Sequence, residues 1–213
     1  MIAERSQTPR EELANAISHG VGLLGSVAAI PILIIGAARE TGAAGVIGAT
    51  VFGVSLLLLY LASTLYHALP AGKSKRVFMI VDHCAIFLLI AGTYTPFTLG
   101  VLRGSWGWSL FGVVWGLALF GIILKSVFGV RYQGLSTTLY LAMGWLIIIA
   151  LEPMLDTVAT PGLLWLLAGG LAYTLGVVFF LIDTRLHFAH FIWHLFVVAG
   201  SFCHFVAVFW YAY

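Results

Sequence analysis

The chain has 213 residues, of which 62% are hydrophobic and only 8% charged, with a formal net charge of +2. A water-soluble domain carries about 25% charged residues, so this composition excludes one and makes the chain an integral membrane protein. The small net charge gives no footing for a nucleic-acid partner, and long uncharged runs exclude a membrane barrel, whose strands alternate over about ten residues.

Residues 1–12 form a short polar tail, and residues 13–213 read as a single transmembrane domain. The first apolar run, about Leu13 to Ala38, is too long for a signal-peptide core and lacks a small-residue cleavage signature, so it is a retained span. Span two runs from about Ala43 to Tyr66 and is followed by a polar loop with Lys73, Lys75 and Arg76. Span three covers about Val77 to Leu99 and span four Trp106 to Leu124, with Lys125 and Arg131 in the next loop. Span five is about Leu135 to Leu151, span six Gly162 to Ile182, and span seven His187 to Trp210. Each is long enough to cross a bilayer as a helix. The predicted fold class is an all-α membrane protein, a seven-transmembrane helix bundle. Gly42, Gly45, Gly48 and Gly53 in span two, and Gly112, Gly116 and Gly121 in span four, predict close helix packing. Cys84 and Cys203 lie inside apolar runs and read as buried structural thiols.

Loop charges set the orientation. With a cytoplasmic N-terminus, Arg5, Arg10, Lys73, Lys75, Arg76, Lys125, Arg131 and Arg185 share the cytoplasmic side, against Arg39 and Arg103 opposite. That bias predicts N-terminus in and C-terminus out, in the cell membrane, which in a bacterium is the cytoplasmic (inner) membrane. His67 then ends span two, Asp82 opens span three, and His190 and His194 occupy the first turns of span seven, all at one leaflet. Asn15, Ser18 and His19 in span one map there too. Ionisable groups at membrane depth need a partner or a task. Each histidine alone is explained by a hydrogen bond to a neighbouring helix, but their convergence points to a metal.

On a helix His190 and His194, at i and i+4, stand one turn apart on one face, a spacing that can hold one ion. Catalytic zinc uses three protein ligands plus water, and His67, His190 and His194 are assigned as those ligands. Asp82 is placed to bind through water or to take its proton. Ser63, one turn from His67, is placed to orient water or a substrate carbonyl. His204 lies about 15 Å beyond His194 along the helix, too far to share the ion, and reads as a structural hydrogen bond. His19 reads as packing near the site. His83, about 100° round the helix from Asp82, falls largely outside it, and His187 reads as solvated at the interface.

The motifs E-x-x-N-x-x-S-H (Glu12, Asn15, Ser18, His19), S-x-x-x-H (Ser63, His67), Asp82, and HFIWHLFVVAGSFCH from His190 to His204 together resemble the bacterial haemolysin III-type proteins of the progestin and adipoQ receptor superfamily. The resemblance implies seven helices, a cytoplasmic N-terminus, and zinc held by the histidines matching His67, His190 and His194, with the aspartate matching Asp82 linked through water. The family is also similar to the alkaline ceramidases, which are zinc-dependent lipid amidases. The expected function is therefore a zinc-dependent hydrolase of a membrane lipid amide or ester, acting in membrane homeostasis, with Asp82 as general base. A non-enzymatic sensor or regulator of membrane fluidity or energetics, with structural zinc, fits the same residues. A pore-forming cytolysin fits less well, because such a protein needs a soluble form before insertion and this chain has no water-soluble face; a transporter or channel fits less well because the polar groups cluster at one end and only His204 lies deep.

Overall fold

The computed structural model describes residues 6–213; Arg5 and the first residues of the polar tail lie outside them. Among the described residues, seven helical segments are long and apolar enough to span a membrane. They are α1 (Pro9–Glu40), α2 (Ala43–Ala68), α3 (Lys73–Leu99), α4 (Ser105–Phe128), a broken fifth span containing α5 (Gln133–Gly144) and α6 (Leu151–Thr157), α7 (Thr160–Leu181) and α8 (Ala189–Tyr211).

The helices reach beyond the apolar runs, because a helix end needs a cap rather than a hydrophobic residue. α1 begins at Pro9, four residues before the expected Leu13, behind a capping box. The Glu11 amide donates to Thr8 Oγ1 at 3.3 Å, and the Thr8 amide donates to Glu11 Oε2 at 2.9 Å. Two orphan amides of the first turn are thereby satisfied, and proline at the first helical position needs no amide. Lys73, Lys75 and Arg76 belong to the first turn of α3 rather than to a loop. Lys125 lies in the last turn of α4, with a side chain buried in the bundle.

The fifth span is not one continuous helix. α5 stops at Gly144, a 3-10 turn covers Leu146–Ala150, and α6 restarts at Leu151. Pro153 lacks an amide proton, and it is tolerated because the restart places it in the first turn of α6. Tyr94 of α3 occupies the gap: its hydroxyl donates to the Met143 carbonyl at 2.9 Å and accepts from the Ile147 amide at 2.9 Å. Backbone groups at membrane depth must be satisfied inside the protein, and this side chain does so where the helix cannot.

α1 packs on α2, α2 on α3, α3 on α4 and α7 on α8, with α8 returning to α1; α5 touches α3, α4 and α7 more sparsely. Small residues allow the close approaches at Gly48, which faces the backbone of Pro96, and at Gly121, which faces the Phe87 ring. Gly42, Gly112 and Gly116 meet nothing within 4 Å, so the expected packing role does not hold for them. Cys84 and Cys203 are free and half-buried rather than fully buried.

Candidate metal centre

Two helices bring the three imidazoles together. His67 sits in the last turn of α2, and His190 and His194 in the first two turns of α8. One ring nitrogen from each of the three lies within 4.8 Å of the other two. Ring centroids are 5.1 Å apart for His67 and His190, 5.0 Å for His67 and His194, and 4.7 Å for His190 and His194.

Each ring is held from behind at Nδ1. His67 Nδ1 pairs with Glu12 Oε2 at 2.7 Å, and His190 Nδ1 with Asp183 Oδ2 at 2.9 Å. His194 Nδ1 lies 3.2 Å from the Asn15 carbonyl and 3.1 Å from Ser18 Oγ. Carbonyls and ionised carboxylates only accept, so Nδ1 carries the proton in all three rings and the Nε2 lone pairs are left free. His67 Nε2 is buried with no hydrogen-bond partner. Nitrogen donors braced at their second nitrogen by carboxylate or carbonyl are what a zinc centre uses. The residues present therefore fit zinc.

The two bracing carboxylates come from segments that the apolar pattern does not mark. Glu12 also pairs with Lys75 Nζ at 3.0 Å, and Lys75 donates to the Tyr66 carbonyl at 2.8 Å, which ties the starts of α1 and α3 to the end of α2. Asp183 lies in the turn between α7 and α8. That turn ends at Phe188, whose φ of 58° is left-handed, a conformation costing about 1–2 kcal/mol for a residue with a side chain. Glu11 Oε1 accepts the Phe188 amide at 2.8 Å and holds the turn against α1. Sequence reading singled out Glu12 only as part of a motif, and gave Glu11 and Asp183 no part in the site. For Glu12 and Glu11 the contacts become visible only once the helices are paired, whereas Asp183 stands seven residues from His190 and its contact is local.

A cavity of about 120 Å³ adjoins the triad, and His19, Ser63, Asp82, His190, His194 and His204 are among its lining residues. Asp82 is buried, and its neighbour is the Ser63 hydroxyl, which has no hydrogen-bond partner of ordinary geometry. Asp82 stands outside the group of three close imidazoles but shares the cavity wall with two of them. His19 stacks on His194, with ring centroids 3.5 Å apart and planes 7° from parallel. His83 Nδ1 donates to the Met79 carbonyl at 2.7 Å, and the ring still lines the cavity. His204 Nε2 donates to the Leu166 carbonyl at 3.3 Å, so the deep histidine is tied to α7. His187 is exposed.

Comparison with known proteins places this geometry in context. The profile of the Haemolysin-III related family matches residues 7–205. The chain is 49% identical to Hemolysin-3 of Bacillus cereus over 210 residues, covering 99% of this chain and 95% of that one. It is 48% identical to the Hemolysin-3 homolog of Bacillus subtilis (strain 168) over 204 residues, covering 96% and 95%. It is also similar to the monocyte to macrophage differentiation factor of Homo sapiens, at 34% identity over 176 residues, covering 78% of this chain and 71% of the relative.

Proposed function

This multi-pass membrane chain belongs to the haemolysin-III related family, and on that premise we propose that it is a zinc-dependent hydrolase of a membrane lipid amide or ester. One observation carries the reading: three imidazoles braced at Nδ1 by Glu12, Asp183 and the Asn15 carbonyl adjoin a cavity that also holds Asp82 and Ser63. His67, His190 and His194 would hold the ion, and Asp82 stands beyond direct ligation. Zinc supplies Lewis acidity for the attack of water on a carbonyl. The Asp82 carboxylate takes the proton released as water attacks, and later returns it to the leaving group. Ser63 Oγ donates to the carbonyl oxygen as negative charge develops there. The apolar wall formed by Leu59, Ile86, Leu89 and Val197 accepts a hydrocarbon tail, which suits an amphiphile entering from the bilayer. The excess of arginine and lysine in the loops and helix ends at the metal end supports a cytoplasmic N-terminus and a site facing the inner leaflet.

The test is a panel of lipid amides and esters presented to zinc-loaded and to chelated protein. Release of fatty acid that is lost on chelation and on Asp82→Ala is the expected result. No release from any lipid by zinc-loaded protein overturns the reading. A second reading has its own support. The triad and its bracing groups join α1, α2, α8 and the turn before α8, so zinc there would lock the bundle in a non-enzymatic regulator of membrane state. In that case Asp82→Ala keeps zinc, fold and cellular phenotype together.

A further inference from the structure

His19 is the histidine at this end of the bundle that the metal reading leaves without a task. It does not share the ion with His194. An imidazole lone pair lies in the ring plane, and the two rings are stacked 3.5 Å apart and 7° from parallel, so an ion in the plane of His194 lies well out of the plane of His19. The ring is fixed between that face and Tyr60, which meets it at 5.1 Å and 84°. A neutral imidazole carries one N–H donor and one acceptor. Both nitrogens of His19 are buried without a hydrogen-bond partner, and the residue is only 3% exposed. The backbone of His194 is a neighbour but lies outside hydrogen-bond geometry. A buried donor left unpaired is costly, so this N–H has an acceptor to find within the cavity that it lines.

The other hydroxyl groups of the cavity wall narrow the choice. Thr93, Thr137 and Thr174 each donate to the carbonyl one turn earlier in their own helix. Tyr94 donates to the Met143 carbonyl, Tyr140 to the His83 carbonyl, and Tyr173 pairs with Ser201 Oγ. Ser63 Oγ is fully buried and makes no hydrogen bond of ordinary geometry among the described residues, with the Asp82 carboxyl as its neighbour. His19 and Ser63 are thus uncommitted donors beside the triad, on a wall that is otherwise largely apolar, and Asp82 when ionised can only accept. We propose that His19 is a substrate-binding residue whose ring N–H, together with Ser63 Oγ, holds the carbonyl oxygen of a long-chain amide or ester in this cavity. This assignment rests on the lipid-hydrolase reading for its ligand class, and it is tested by binding rather than by turnover.

The experiment uses the zinc-loaded full chain in phosphatidylcholine nanodiscs, with dodecanamide as the probe and isothermal titration as the readout. The wild type binds the amide. His19→Phe keeps the ring stacked on His194 but has no donor, and it weakens binding by roughly tenfold, the worth of one hydrogen bond. His19→Gln restores an N–H and recovers most of that loss. Ser63→Ala gives a loss of similar size through the second donor and serves if His19→Phe does not fold. Zinc content stays equal to wild type in all three variants. Unchanged dodecanamide binding in His19→Phe overturns the assignment, as does loss of zinc from that variant, which would make the ring a holder of the metal. Failure of the wild type to bind dodecanamide overturns it too. If the wild type binds dodecanamide, His19→Phe weakens it, and no lipid is cleaved, the hydrolase reading falls while the role of His19 stands.

Discussion

The two ends of α8 carry the same residue type in opposite settings. At the start of the helix, His190 Nδ1 is braced by Asp183 and His194 Nδ1 by the Asn15 carbonyl and Ser18. Ten residues further on, His204 directs Nε2 to the Leu166 carbonyl and leaves Nδ1 buried without a partner. The first pair is committed at Nδ1, whereas His204 has committed Nε2 to the backbone. The difference teaches that the partner of one ring nitrogen decides which nitrogen a membrane histidine has left to offer. The identity of the helix face matters less.

The sharpest way to break this contrast is His194→Ala. Wild-type protein is expected to hold about one zinc, and this variant should lose it, since two imidazoles cannot complete a three-ligand centre. Metal analysis checks the content. Chelation should lower the melting temperature of the wild type but leave that of the variant unmoved. Next in size are Glu12→Gln and Asp183→Asn, which keep an acceptor but remove the charge behind His67 and His190. Zinc affinity should fall by roughly 10–100-fold in each, with the metal-free melting temperature near that of wild type. An unchanged affinity would mean that the carboxylates are ordinary surface partners.

Two further variants sharpen the other end. Gly169 lies against the His204 ring, and a Cβ there would collide with the imidazole. Gly169→Ala should therefore destabilise the bundle by about 1–3 kcal/mol without altering zinc content. His204→Gln should cost the least, about 1 kcal/mol for its hydrogen bond to α7, again with zinc unchanged. Thermal unfolding beside metal analysis separates these outcomes. Zinc loss from His204→Gln would dissolve the distinction between the two ends.

Much of the fold was legible because membrane depth is written along the chain. Long apolar runs gave seven spans, and the structure has seven helical segments fit to cross a membrane. Helix ends were less legible. Thr8 and Glu11 extend α1 through hydrogen bonds that hydrophobicity does not register. The break after Gly144 was missed as well, since the apolar composition runs straight through it; Pro153 was its only local signal, and the groups that make the break tenable belong to Tyr94 of α3. At the site, the depths of His67, Asp82, His190 and His194 could be read from their places in the spans. The contacts of Glu12 and Glu11 could not, because they reach across 55 and 177 residues; Asp183 stands only seven residues before His190, across a turn whose shape the apolar pattern does not display.

The sequence by itself determined which residues lie at the same depth, because a helix rises by a constant amount per residue. Length and position along a span are then enough to bring His67, His190 and His194 to one level and to leave His204 far from them. Only the tertiary structure decided which way each ring faces and what stands behind it. Rotation of one helix against another follows from side-chain packing between segments distant in the chain. That packing set Glu12 behind His67 and stacked His19 flat on His194, while the turn before α8 set Asp183 behind His190.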